Sequence, residues 1–218
     1  MNKQFVIGIV SYFPDEIREQ RQNSLNNLIN KCSIIFPGID IIIVAQNWRD
    51  FRPYSETNKF IIYKFNKLGI VGARSKLRDI FINSEYDFLI MFDDDNIIEG
   101  TKENGDKYIN LMKNNPDGFG VFDFYRGQFW GFCISKSLFK KVEFLEQCPE
   151  TGQIFEDTYI SHICLYHHPQ FTDLKESGVK IIENWKVKST WWDNKKYNIK
   201  QMEINTYKLI EQYKNNLK

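Results

Sequence analysis

Three consecutive carboxylates, Asp93, Asp94 and Asp95, come directly after an apolar run at residues 88–92. Adjacent negative charges at the end of a strand repel one another, and the arrangement is costly unless a cation neutralises it. Mg²⁺ and Mn²⁺ prefer oxygen ligands and are often held by one or two carboxylates together with substrate phosphates. The run therefore predicts a divalent-cation site, and a solvated acidic turn that caps a following helix is the structural alternative.

The elements that must position these carboxylates alternate along the first two-fifths of the chain. Apolar runs predict strands at residues 5–10, 39–45, 60–63 and 87–92, and helical periodicity predicts helices after Asp15 and over residues 69–83. This order favours an α/β fold with a mostly parallel sheet flanked by helices. Ligands of such sheets bind beyond the carboxyl ends of the strands, where Ser11-Tyr12, Gln46-Asn47 and the acidic run all lie.

Both predicted helices have an apolar face. Asp15 offers an N-cap for the first helix, whose apolar side chains lie mostly on one stripe. In the second helix, Ala73 and Leu77 face inward, which places Arg74 on the non-core face. A surface ion pair of Arg74 with Asp79 or Glu85 is the structural alternative to a role in binding.

Composition narrows the class of protein. The chain has 218 residues, enough for one sizeable α/β domain, and its net charge of +1 supplies no general attraction to nucleic acid or anionic membranes. No run approaches the roughly 18 apolar residues of a membrane span, and the N-terminal apolar run is better explained as a core strand than as a signal peptide. Four cysteines without CxxC spacing indicate reduced thiols, so we expect a cytoplasmic protein. They are Cys32, Cys133, Cys148 and Cys164.

The run Asp93-Asp94-Asp95-Asn96 resembles the DxD motif of the GT-A glycosyltransferases, especially family two and its relatives. The resemblance covers roughly residues 4–165. It implies that Asp95 ligates Mn²⁺ or Mg²⁺, with Asp93 as a further metal contact. It also implies that Asp93 or Asp94 contacts the ribose of a nucleotide-sugar donor or bridges to it through water.

Two further segments, both before the acidic run, resemble the same family. Gly69, Ala73 and Arg74 match its Gly-x-x-x-Ala-Arg-Asn helix start, although Ser75 replaces the usual Asn. The resemblance places Arg74 near the base, ribose or diphosphate of the donor. Ser11 and Tyr12 match the place where the family binds the nucleobase. Asn47, after another predicted strand, completes the predicted donor-binding set.

The second half of the chain carries the predicted acceptor and base residues. Trp130 and Gly131 lie in a segment similar to the Gly- and aromatic-rich acceptor segment of the family, and an aromatic face can pack on a sugar ring. A buried core Trp is the alternative. Glu156 and Asp157 resemble the Glu-Asp pair of the family near its catalytic base, and the resemblance favours Asp157. A plain helix N-cap is the alternative.

We therefore predict a single GT-A (Rossmann-like) domain over residues 1–218. Residues 1–97 form the nucleotide-sugar half, residues 98–198 the acceptor half, and residues 199–218 a C-terminal amphipathic helix. The predicted activity is metal-dependent sugar transfer from a nucleoside-diphosphate sugar, UDP by preference, with inversion. A glycan, a lipid-linked sugar, a protein or a modified base could be the acceptor, and nucleic acid is not favoured.

Two other functions compete with this prediction. A nucleotidylyltransferase shares the nucleotide-binding half, but it would normally need a Gly-rich basic loop after the first strand, where this chain reads VSYFPDE. A non-catalytic carbohydrate- or Ca²⁺-binding module is the third possibility. The acidic run lacks EF-hand spacing, which disfavours the Ca²⁺ version.

Overall fold

The computed structural model describes residues 4–66, 68–122, 131–142, 156–183 and 199–217. The strands are β1 Phe5–Tyr12, β2 Asp40–Gln46, β3 Phe60–Phe65, β4 Phe88–Asp93, β5 Asn96–Glu99, β6 Phe119–Val121, β7 Phe132–Ser135, β8 Phe171–Asp173 and β9 Lys180–Glu183. The helices are α1 Arg18–Ile35, α2 Gly69–Ile82, α3 Lys102–Lys113, α4 Lys136–Phe139, α5 Glu156–His167 and α6 Ile199–Asn216. Short 3₁₀ turns span Asp15–Ile17 and Leu174–Ser177.

Seven strands form one sheet in the order β3-β2-β1-β4-β7-β6-β8. The pairs β1–β2, β2–β3 and β1–β4 are parallel, whereas β7 runs antiparallel to both β4 and β6. Strands β1, β2 and β4 are apolar almost throughout because helices cover both faces of the sheet. The predicted α/β fold, with a mostly parallel sheet flanked by helices, is confirmed. A second, two-stranded sheet pairs β5 with β9.

Alternate residues of β1 pack into two separate hydrophobic cores, one on each face of the sheet. Ile7 and Ile9 join the core under α1 and α3, and Val6 and Val10 join the core under α2, α5 and α6. Gly8 lies between them, where a Cβ atom would come within 2.8 Å of Leu77 Cδ2. The missing side chain therefore allows α2 to pack close to the centre of the sheet.

The predicted C-terminal helix corresponds to α6, which packs against α5. Met202, Thr206 and Ile210 are its buried residues, spaced by four along one face. In the described ranges, none of the helices has the length and apolar character needed to cross a membrane. Cys32, Cys133 and Cys164 are buried free thiols, as predicted, and Cys148 lies outside the described residues.

Two local predictions are wrong, and so is one structural alternative. Asp15 does not cap α1, because it lies in the preceding 3₁₀ turn and its carboxylate pairs with Arg18 and Arg49. The acidic run leads into β5 and caps no helix. Strand β1 continues two residues past its predicted end because the backbone ladder with β2 continues as far as Tyr12. Ser11 and Tyr12 are thus the last residues of the strand.

Candidate active site

The candidate site lies at the topological switch point of the sheet, where the strand order reverses. From β1 the chain passes through α1 to β2 and β3 on one side, and α2 then returns it to β4 on the other side. Neighbouring strands whose connections diverge in this way leave a crevice beyond their carboxyl ends, which is where such folds bind ligands. Val10 of β1 pairs with Asp93 of β4, so the acidic run lies beside Ser11 and Tyr12.

Asp94 faces into the protein. Its Oδ2 atom accepts hydrogen bonds from Ser11 Oγ at 2.8 Å and from the Tyr12 backbone N–H at 3.2 Å, and only 4% of the residue is exposed. Trp48 Nε1 donates in turn to Ser11 Oγ at 3.2 Å. Burial raises the pKa of the Asp94 carboxyl to about 7, although nearby Arg21 opposes the shift. Asp94 therefore joins the ends of β4 and β1, and its predicted ribose contact stays a prediction.

Arg21 of α1 is a site residue that sequence reasoning missed. Its Nη1 atom donates to Asp94 Oδ1 at 2.8 Å and to Asp95 Oδ2 at 3.0 Å. The side chain is buried because Arg21 lies four residues after Ile17 and four before Leu25, on the apolar stripe of α1. The sequence feature that could have identified Arg21 as a buried site residue is its position, as a charged residue, within the apolar stripe of the helix.

Arg74 of α2 is buried, with 5% of the residue exposed, so the prediction of a non-core position is wrong. Its Nη2 atom donates to Asp93 Oδ1 at 3.0 Å and Oδ2 at 2.9 Å. Its Nη1 atom donates to Asp157 Oδ1 at 2.5 Å. The guanidinium stays inside because two carboxylates compensate its charge there. Its predicted contact with the donor stays a prediction.

Asp157 lies in the first turn of α5, so the predicted helix start at Glu156-Asp157 is confirmed. Its side chain is 30% exposed. The structure thus brings the predicted base to the acidic run through Arg74. Nothing is described of the Glu156 side chain, and Trp130 lies outside the described residues.

Gly131, the other predicted acceptor residue, is buried. Its φ of 61° lies in the left-handed region, and a Cβ atom there would come within 2.1 Å of Ile181 Cδ1. The carbonyl oxygen of Gly131 accepts a hydrogen bond from Tyr108 at 2.6 Å. Packing therefore accounts for glycine at this position, and a contact with the acceptor stays a prediction.

Asn47 ties together the loops that follow β1 and β2. It has a φ of 55°, in the left-handed region that Asn tolerates better than most residues. Its Nδ2 atom donates to the carbonyl oxygen of Phe13 at 2.8 Å, and Phe13 stacks on Trp48 with ring centroids 4.9 Å apart. The loops at the carboxyl end of the sheet are thus held by side chains, and a contact of Asn47 with a nucleotide stays a prediction.

The cluster has an excess of negative charge that suits a divalent cation. Its four carboxylates, when ionised, exceed its two guanidiniums by two charges; the six side chains are Asp93, Asp94, Asp95, Asp157, Arg21 and Arg74. Within the part of the chain that the structure describes, no group of three or more His, Cys, Asp or Glu side chains could hold a metal ion by itself. A cation shared with substrate phosphates needs only one or two carboxylates.

Asp95 and Asp93 are the carboxylates that best fit such a cation. Their side chains are 27% and 21% exposed, whereas that of Asp94 is only 6% exposed. Both oxygens of Asp93 already accept hydrogen bonds from Arg74, so Asp95 is the more available ligand. Burial, followed by the charge of Asp93, raises the pKa of Asp95, which a cation nearby would reverse.

No protein-family model matches the chain, and no curated protein matches its sequence. Among solved structures, it is similar to S. aureus TarS. TarS 1-349 in complex with UDP-GlcNAc has a TM-score of 0.51 at 14% identity, over 78% of this chain and 55% of that one. TarS 1-349 alone has the same TM-score and identity, over 78% and 57%.

A further TarS structure has a TM-score of 0.50 over 78% of this chain and 34% of that one. The chain thus spans little more than half the length of TarS 1-349. At this level of identity the likeness shows the fold alone, without singling out family two. The likeness therefore supports a GT-A-like fold for this chain.

Proposed function

We propose that the protein transfers a sugar from a nucleoside-diphosphate sugar to an acceptor hydroxyl. The observation that carries the proposal is the position of Asp93, Asp94 and Asp95 at the crevice between β1 and β4. TarS 1-349, which shares the fold, has been solved with UDP-GlcNAc. We therefore take a UDP-sugar as the donor.

The proposed activity uses Mn²⁺ or Mg²⁺ held by Asp95, with Asp93 as a further contact. When bound, the cation would neutralise the charge that develops on the leaving diphosphate. The protein contributes the orientation of the carboxylates. Arg21 holds one oxygen of Asp95, and Arg74 holds both oxygens of Asp93.

The nucleoside of the donor would lie beyond the ends of β1 and β2. Tyr12 and Asn47 are partly exposed there, so they are the donor contacts that the geometry favours. Ser11 is 2% exposed, and its hydroxyl donates to Asp94. We infer that Ser11 acts on the donor through Asp94 and does not contact it.

We propose Asp157 as the general base of a single displacement that inverts the anomeric carbon. The acceptor oxygen would form a bond to that carbon as its bond to the diphosphate breaks, and Asp157 would take the proton of the hydroxyl. Its partial exposure and its link to the acidic run support this role. Trp130 and Gly131 remain the proposed acceptor contacts.

The test is a thermal-shift screen of UDP, GDP, ADP and CDP with and without Mn²⁺. We expect UDP to raise the melting temperature, and to raise it further when Mn²⁺ is present. A panel of UDP-sugars should then release UDP slowly to water. A protein that neither binds a nucleoside diphosphate nor releases one from any nucleotide sugar contradicts the proposal.

A further inference from the structure

Arg74 joins the two halves of the candidate site. It belongs to α2, whereas its partners belong to the end of β4 and the first turn of α5. Asp93 is 19 residues away in sequence and Asp157 is 83 residues away. One side chain thus contacts a proposed cation ligand and the proposed base.

The contacts are specific to a guanidinium. Nη2 donates to both oxygens of Asp93, and Nη1 donates to Asp157 Oδ1. A guanidinium is planar and rigid, so its two nitrogens fix the separation of the carboxylates that they contact. A lysine ammonium is a single charged group on a flexible stem, and it cannot impose that separation.

The arginine side of this contact is shielded from solvent. The Arg74 side chain is 6% exposed, and its neighbours Ala73 and Leu77 are fully buried on the same helix. Charge-assisted hydrogen bonds are shorter and stronger than neutral ones, and solvent weakens fully exposed ion pairs. The first turn of α5 is therefore linked to the end of β4 through a buried arginine, while the side chains of Asp157 and Asp93 are 30% and 21% exposed.

We propose that Arg74 is a positioning residue for catalysis, which sets the place of the Asp157 carboxylate relative to the donor. The inference rests on the proposed function and deepens it. The base must meet the attacking hydroxyl on the side of the anomeric carbon opposite the diphosphate. The rate of such a displacement depends steeply on small shifts of the reacting groups.

This role replaces the direct donor contact that the family resemblance implied for Arg74, and the two roles differ in what they change. A donor ligand affects the affinity for the nucleotide. A residue that acts through Asp157 affects the rate with bound donor, and it matters only while Asp157 is present. These two effects can be separated with water as the acceptor, because water also has to lose a proton to the base.

The experiment compares wild type with Arg74→Lys, Asp157→Asn and the double variant. Isothermal calorimetry measures UDP affinity in the presence of Mn²⁺, and an enzyme-coupled assay measures UDP release from saturating UDP-GlcNAc in water. Arg78→Lys is the matched control, since Arg78 lies one turn further along α2 and donates to the carbonyl oxygen of Phe139. Arg74→Gln, checked by circular dichroism, replaces Arg74→Lys if that variant does not fold.

Arg74→Lys keeps a positive charge beside Asp93, and Asp95 remains the main proposed cation ligand. We therefore expect the variant to lower the rate of UDP release roughly 10- to 100-fold while UDP affinity changes less than about twofold. In the Asp157→Asn background, the same change should have no further effect. Arg78→Lys should match wild type in both measurements.

Two results would overturn the positioning role while leaving the proposed function intact. One is a fall in UDP affinity with an unchanged rate at saturating donor, which would make Arg74 a donor ligand. The other is a double variant whose rate of UDP release falls by the product of the two single-variant decreases, which would make the two residues independent. A wild type that neither binds UDP nor releases it from a panel of UDP-sugars overturns the proposed function, and this inference with it.

Discussion

Asp94 and Asp95 are adjacent in the chain, yet their side chains lie in different surroundings. Asp94 is enclosed by Ser11, Tyr12 and Arg21, and both of its oxygens accept hydrogen bonds. Asp95 shares Arg21 but is partly open to solvent. Removing one carboxylate should therefore affect folding, and removing the other should affect the binding of a cation.

At the scale of single residues, we predict that Asp95→Asn lowers the affinity of the UDP complex for Mn²⁺ by roughly tenfold or more, because it removes the most available ligand. Calorimetric titration of Mn²⁺ into the UDP complex measures the change. Asp106→Asn, on the exposed side of α3, is the control. Equal Mn²⁺ affinity in wild type and Asp95→Asn would show that the cation is held elsewhere.

A second prediction at this scale concerns pH. The pKa of Asp94 rises to about 7 in the folded protein, from its ordinary value of 3.8. Between these values the folded state keeps a proton that the unfolded state has lost, so this residue makes the free energy of unfolding decrease as pH rises. Urea unfolding in EDTA, from pH 4 to pH 8, should show this decrease in wild type relative to Asp94→Asn. Parallel pH profiles of the two proteins would contradict it.

At the scale of elements, α1 is held to the acidic run by a charge inside its apolar stripe. Arg21→Met removes that charge and leaves Asp94 buried without its ion pair. We predict a loss of about 3 kcal/mol in the free energy of unfolding, measured by urea denaturation at pH 7. Arg18→Met, at the first residue of α1, removes the pair with largely exposed Asp15 and a hydrogen bond to the carbonyl oxygen of Asn47, and it should cost less because no carboxylate is left buried. Similar decreases in the free energy of unfolding of Arg21→Met and Arg18→Met would contradict this prediction.

The crossing of α1 and α3 depends on one glycine. A Cβ atom at Gly105 would lie 1.8 Å from the carbonyl oxygen of Ile35, the last residue of α1. Gly105→Ala should therefore destabilise the protein by about 2 kcal/mol, because the helices must separate. Gly72→Ala, in α2, is the control. Its nearest neighbour would be Leu68 Cβ at 3.2 Å, and alanine favours the helix. Thermal unfolding that ranks Gly72→Ala as the less stable variant would contradict this account.

At the scale of the whole molecule, the first half of the fold could be predicted from the sequence. The apolar runs are long enough to identify β1, β2 and β4, and α2 has clear periodicity. The short strands β6, β8 and β9 could not be predicted, because three or four residues carry too little pattern.

The candidate site was predictable only in part. A run of three carboxylates after an apolar strand is visible in the sequence, and so is its position at the edge of the sheet. The arginines that meet the run are not, because no local pattern links Arg21 to a carboxylate 73 residues later. The helical pattern predicts Arg74 on the wrong side of its helix because charged side chains are usually exposed. Pairing with Asp93 and Asp157 overrides that tendency.

The parallel pairing of β1 with β4 has a consequence for how the chain folds. About 80 residues separate the paired strands, so their contact closes a large loop. Closing that loop lowers the entropy of the chain before many native contacts have formed to compensate. Strand β4 must also bring three negative charges to a place where, among the described residues, Arg21 and Arg74 pair with them. We therefore expect the docking of β4 to be a late and slow event. Arg21 would then act in refolding kinetics as well as in the native state, and Arg21→Met would lengthen the refolding time measured after dilution from urea.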